Sequence, residues 1–141
     1  SKKVDIASAI RVKNITVKAV DVRSSGKEKS KSRASKVDKL NICFVTEPNE
    51  VVPTGEETFY ITVIDATGAT LAIESLGSGV AQDKRKEQEF RYTTVATTNY
   101  TNGESEVCGA WQPGQNFVKG KYEVKIFNKG YLVGTGSFNL K

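Results

Sequence analysis

GKYEVKIFNKGYLVGTGSFNL, residues 120–140, decides the fold. Its first half sets Tyr122, Val124 and Ile126 against Glu123 and Lys125, the period-two alternation of a half-buried strand. Asn128-Lys129-Gly130 reads as a short hairpin loop, with Gly130 supplying the positive φ that such turns need. The return run puts Leu132, Phe138 and Leu140 on one parity and interrupts its middle with Gly134 and Gly136. Glycine inside a strand marks a bulge or a close approach of backbone, so the sheet is expected to bend here. A lone hairpin is marginal in water and must dock on a sheet supplied by the preceding chain.

That preceding chain reads as further strands at a spacing of roughly ten residues, with turn chemistry between them. Ile10 to Val22 shifts parity twice, as a long bulged strand or two short strands would. Val37 to Thr46 alternates Leu40, Ile42 and Phe44 against Asn41, Cys43 and Val45. Thr58 to Asp65 (TFYITVID) is the clearest strand, and Ala66-Thr67-Gly68 is expected to turn it into a partner over Ala69 to Glu74. Leu76 to Glu87 is polar and contains glycine. Phe90 to Tyr100 reads as one threonine-rich strand, with Asn102-Gly103 a hairpin signal into Glu104 to Trp111. No stretch has the pattern of an amphipathic helix. The expected fold is all-β: an antiparallel, immunoglobulin-like β-sandwich of about eight strands, with a closed barrel as the alternative. Residues 10–141 form that single domain, and residues 1–9 read as a linker or the end of a helix.

Charge divides unevenly along the 141 residues. Residues 1–40 hold 12 Lys/Arg against 4 Asp/Glu, and residues 41–141 hold 9 against 12, so +8 and −3 make the net +5. The basic excess is therefore a property of one arm. Arg23 to Lys36 (RSSGKEKSKSRASK) lacks a large apolar residue and reads as a mobile basic loop after the first strand. Arg23, Lys27, Lys29, Lys31, Arg33 and Lys36 are candidate contacts to an anionic surface, because Lys and Arg release counterions from phosphate. Nucleic-acid binding through residues 23–39 ranks below a solvated connector, since the loop has no aromatic ring to stack on bases. No apolar run reaches the roughly 18 residues of a membrane helix, and Ser1-Lys2-Lys3-Val4 does not open a signal peptide.

Chemistry is scarce. Histidine is absent, which removes the commonest general base and any Ser–His or Cys–His pair. With two cysteines and no histidine, a zinc site of nitrogen and sulfur ligands lacks donors. Cys43 and Cys108 each fall in a predicted strand; a cross-strand or inter-sheet disulfide and two ordinary buried thiols both remain open. Glu56/Glu57 and Glu104/Glu106 read as solvated charge, not as acids facing across a cleft. Gly77-Ser78-Gly79 is not followed by a helix, so it is no phosphate loop. A calcium site built from Asp65, Asp83 and loop carbonyls stays open, without a recognisable ligand spacing. The sequons at Asn14 and Asn99 are taken as incidental. The expectation is a chain with no catalytic residues, no metal and no cofactor. Tyr100, Trp111 and Tyr131 are candidate platforms for a carbohydrate or peptidoglycan ligand, although a lone tryptophan is more often core.

Ser24-Ser25-Gly26-Lys27, Lys39-Leu40-Asn41-Ile42-Cys43-Phe44, Gly55 through Asp65, Glu106-Val107-Cys108, Gly120-Lys121-Tyr122 and Phe138-Asn139-Leu140-Lys141 carry a resemblance. These ordered blocks resemble the C-terminal β-domain of Bacteroidota membrane-anchored coiled-coil envelope proteins, often labelled chromosome-partitioning or segregation proteins. The resemblance implies a periplasmic domain on a helical stalk anchored in the inner membrane, with Ser1 to Ala9 as the last stalk residues. It implies homo-oligomers through the upstream coiled coil, and an oxidising compartment that favours a Cys43–Cys108 disulfide. The leading expectation is thus a non-enzymatic protein-binding or structural module of the cell envelope. Carbohydrate binding is the alternative, and nucleic-acid binding ranks third.

Overall fold

The structure, a computed structural model, describes residues 8–141, so part of the expectation for residues 1–9 lies outside the described residues. The C-terminal run folds as the expected hairpin of β9 (Gly120–Asn128) and β10 (Tyr131–Leu140). Lys129 and Gly130, at φ 54° and 86°, form its two-residue turn. Around it stand β1 (Val12–Val22), β2 (Glu28–Ser30), β3 (Lys39–Thr46), β4 (Gly55–Ile64), β5 (Gly79–Asp83), β6 (Gln88–Tyr92), β7 (Thr94–Tyr100) and β8 (Glu106–Trp111).

Strands β2-β1-β3-β8 make one four-stranded antiparallel sheet and β10-β9-β4-β7 the other, with β5-β6 a separate ribbon. This is the immunoglobulin-like sandwich expected, with ten strands in place of eight. Leu40, Ile42 and Phe44 of β3 and Val107 of β8 meet Phe59, Ile61 and Val63 of β4 and Val124 and Ile126 of β9 in one core. The Phe44 and Phe59 rings cross between the sheets edge to face, 5.2 Å apart. At roughly 1.5–3 kcal/mol per fully buried large apolar side chain, this inter-sheet layer is the main stabilising term.

Both glycine effects read from β10 are present. The β9–β10 register shifts between Leu132 and Gly134, so Val133 is the bulged residue. Tyr131 before the bulge, Val133 at it and Leu140 after it all face inward. Leu132 is consequently 45% exposed, not on the Phe138 side as the parity suggested. A Cβ on Gly134 would stand 2.5 Å from Val12 Cγ2 and 3.1 Å from Ile15 Cδ1, and one on Gly136 would stand 3.2 Å from Ile15 Cγ2. Strand β1 meets them with a register shift of its own between Lys13 and Thr16, where Asn14 has φ 53°. Buried Asn128 ties the hairpin to both neighbours: its Oδ1 accepts Ile10 N–H at 2.9 Å, and its Nδ2 donates to Thr58 C=O at 3.0 Å.

Several local expectations are corrected, because backbone groups find partners other than those the local pattern suggests. Arg23 to Lys36 is not one structureless loop; it holds β2 and a 3-10 turn at Ala34–Lys36. Ala34 N–H donates to Lys141 C=O and Lys141 N–H to Ser32 C=O, each at 2.8 Å, fastening this arm to the C-terminus. Residues 69–74 make only a bridge at Ile64↔Thr70, because Asp65 Oδ1 takes the Thr67 and Ala69 N–H groups and Ser78 Oγ takes that of Ile73. The polar run after Leu76 supplies β5, and Phe90 to Tyr100 breaks at fully buried Thr93. There the hydroxyl accepts Val63 N–H while the Thr93 N–H donates to Ile61 C=O. Asn102-Gly103 is a crossing between sheets, not a hairpin: Asn102 Nδ2 donates to the Asn49 and Val52 carbonyls.

The close approach at Gly134 sets a stability test. Gly134→Val is expected to cost about 1–3 kcal/mol in chemical denaturation, as overpacking does. Gly103→Ala, which opens on free space, should move the midpoint by no more than about 0.5 kcal/mol.

Candidate functional site: a cationic cleft beneath the β5–β6 ribbon

Strand β6 alternates Phe90 and Tyr92 against exposed Glu89 and Arg91. Its aromatic face needs cover, and the outer face of β4 and β9 offers Tyr60, Thr62 and Phe127 in adjacent register. Phe90 stacks on Phe127 at 3.9 Å, Tyr92 leans on Tyr60 at 4.8 Å, and the Thr62 hydroxyl donates to Arg91 C=O at 2.9 Å. The ribbon's turn is latched to the C-terminal hairpin, with Lys84 N–H donating to Gly130 C=O at 2.9 Å and Lys84 Nζ lying 5.9 Å from the Tyr131 ring centre.

Between ribbon and sheet lies a cleft of about 540 Å³. Phe90, Phe127, Leu132 and Val133 give it apolar surface, and Arg11, Arg85, Lys86, Arg91 and Lys125 give it charge. Among the described residues Asp83 is the one carboxylate in the lining, and its Oδ1 accepts Arg85 N–H at 3.0 Å and Lys86 N–H at 3.1 Å, which shapes the ribbon turn. Five positive charges and one negative leave the lining at +4. Among the described residues no carboxylate forms an ion pair with any of the five cations. Cations gathered over low-dielectric walls focus a positive potential, and Arg and Lys there bind carboxylate or phosphate oxygens by charge-assisted hydrogen bonds.

Sequence reasoning missed this site because its cations come from four separated stretches, three of them in the part of the chain with net −3. The only local signal was Lys84-Arg85-Lys86. The six cations singled out on the arm are not gathered in the same way. Arg23, Lys27 and Lys29 share a shallow depression with Glu28, while Lys31, Arg33 and Lys36 lie outside it. Glu28 is itself engaged with Lys39 Nζ at 2.6 Å and Asn41 Nδ2 at 2.9 Å, which holds its carboxyl below the usual range.

The platform expectation is corrected. Tyr100, Trp111 and Tyr131 all belong to the core, with exposures of 0%, 2% and 6%, and of the three only Tyr131 borders the cationic cleft. The Tyr100 hydroxyl donates to Glu47 C=O at 2.7 Å, and Trp111 lines a separate recess of about 240 Å³. Cys43 and Cys108 are bonded as directly opposed residues of β3 and β8, so the bridge is cross-strand, not inter-sheet. With Leu40, Ile42 and Phe44 turned inward, it lies on the outer face of its sheet, not among buried thiols.

Asp65 serves its turn as Asp83 does, accepting the Thr67 hydroxyl at 2.6 Å beside the two N–H groups. Burial pushes its carboxyl up, but the Thr67 hydroxyl and the Ala69 and Thr67 N–H donors outweigh that and hold it below its ordinary value. A depressed folded value contributes stability that is present above the unfolded pKa and lost as pH falls through the folded one. Wild-type protein should therefore lose stability below about pH 4 more steeply than Asp65→Asn, read from denaturation midpoints across an acid series.

Fold and cleft together define an immunoglobulin-like sandwich with an accessory ribbon set over a cationic recess. The chain belongs to the family described as Domain of unknown function (DUF8428), which matches residues 13–141. No curated protein matches it. Among solved structures it is similar to the Pseudomonas fluorescens alkylpurine DNA glycosylase AlkC bound to DNA containing an abasic site analog. That likeness has 10% identity and a TM-score of 0.48, and covers 95% of this chain and 31% of that one.

Proposed function

We propose that the domain is a non-enzymatic binding module of the bacterial cell envelope that seats an acidic stretch of a partner protein in the cleft beneath β5–β6. The observation that carries this reading is the set of five cations that, among the described residues, no carboxylate pairs, beside the apolar surface of Phe90 and Leu132. A peptide can place two or three carboxylates on that rim while an apolar side chain meets the rings, which a simple inorganic anion cannot. The volume fits a short segment or small ligand, in the range of about 300–1,000 Å³ usual for such sites. Nucleic-acid channels instead follow the backbone over several nucleotides with exposed stacking rings. A carbohydrate platform built from Tyr100, Trp111 and Tyr131 is disfavoured by their burial.

The envelope setting follows the resemblance of the strand blocks to stalk-borne Bacteroidota domains. On this reading the module lies outside the inner membrane, on a coiled coil that would bring several copies together. A disulfide facing outward is at home in such an oxidising compartment.

The test is titration of the domain with a short peptide rich in Asp and Glu that carries one Phe, against duplex DNA of equal charge. The peptide should bind, weaken as salt rises, and weaken at least about 10-fold with Arg85→Glu/Arg91→Glu, a loss of about 1.4 kcal/mol. Unchanged binding by that variant would remove the cleft as the site, and tighter binding of duplex would replace the protein partner with nucleic acid.

A further inference from the structure

We infer that reduction of the Cys43–Cys108 bridge converts it into a chelating site for a soft divalent cation such as zinc, with Glu106 as third ligand. The argument is independent of the cleft, which lies on the other sheet.

Cys43 and Cys108 are registered partners on β3 and β8, and Val45↔Glu106 is the next pair on the same face. Glu106 is thus one same-face step along β8 from Cys108. The two sulfurs and a Glu106 carboxylate oxygen all lie within 4.8 Å of one another. Tetrahedral zinc, with Zn–S of roughly 2.3 Å and Zn–O of roughly 2.1 Å, needs its ligand atoms about 3.5–3.8 Å apart. Once the S–S bond is open, side-chain rotation alone brings the set to that spacing. Access is open as well: Cys108 and Glu106 are exposed, Cys43 is half-buried, and β8 is the edge strand of its sheet. Glu106 supplies the donor that a histidine-free chain with two cysteines otherwise lacks.

The chemistry balances with a dithiol reductant. One donor thiolate attacks a bridge sulfur, the S–S bond breaks, and a mixed disulfide forms. The second donor thiol resolves it, leaving the donor oxidised and the two cysteines as thiols that have gained two electrons and two protons. Binding M²⁺ releases the two thiol protons, so two thiolates and one carboxylate hold the ion and a fourth position is left to water. The sheet does not depend on the bridge for its register, because five further residue pairs join β3 to β8. Opening the 65-residue loop removes only the chain-entropy contribution of the cross-link and leaves those pairs in place.

The test uses the whole chain, reduced with a dithiol that is then removed under anaerobic conditions. It is titrated with Cd²⁺, whose thiolate charge-transfer absorption reports sulfur ligation, and then with Zn²⁺ as competitor. Reduced protein should show the band at one ion per chain and lose it to zinc, and oxidised protein should show none. Cys108→Ser should abolish the band; Glu106→Gln should keep it while affinity falls at least about 10-fold. Circular dichroism should keep its strand signature throughout. Cadmium binding without the band, equal affinity in Glu106→Gln, or loss of the strand signature on reduction would each overturn the inference.

Discussion

The sandwich depends on one steric permission: β1 can lie against β10 because Gly134 and Gly136 present no side chain there. Val12 and Ile15 occupy the space those side chains would take. Each sheet could pair its own strands without this contact, but the two layers would then stand open along one margin, with the core residues beside it wetted. The β1 bulge around Asn14 and the β10 bulge at Val133 lie on either side of this contact. Each strand bends to meet the other, and bulges are the usual means by which strands at a sandwich margin do so.

The same hairpin also places the cationic cleft. Before the bulge, β10 turns Leu132 outward and Tyr131 inward, and its turn offers Gly130 C=O to the ribbon. A ribbon stacked by Phe90 on Phe127 then stands off the sheet, and the gap between them carries cations from β1's lead-in, the ribbon and β9. Core formation and the cationic recess thus share one element. The recess carboxylate, Asp83, braces the ribbon turn by accepting Arg85 N–H and Lys86 N–H.

The legible parts of the fold were those carried by short-range pattern. Alternation in β3, β4 and β9, the Lys129-Gly130 turn and the meaning of Gly134 all follow from neighbours two residues apart. What was not legible depends on partners far along the chain. Asn102 reads as a hairpin residue until its amide is seen reaching Asn49 and Val52, and Thr93 reads as mid-strand until its hydroxyl is seen taking a β4 amide. Leu132 is misplaced by a parity count because a single bulged residue reverses every face before it. The candidate site was the least legible of all. Arg11, Arg91 and Lys125 are unremarkable singly, whereas of the conspicuous cations of the arm only Arg23, Lys27 and Lys29 come together, around Glu28. The cysteine pair was open between bridge and thiols because opposition across two strands is set by register, and register is a tertiary fact.

The parallel course of β1 and β10 has a mechanical meaning. Ile10 is held beside the Asn128 turn, whereas Lys141 is held beside Ser32 and Ala34 at the far end of β10, some ten residues or about 33 Å away. Tension between those two points therefore runs lengthwise along the margin where Val12 and Ile15 interlock with β10. The glycine-lined seam is loaded in shear, with its contacts resisting together, and not unzipped one at a time.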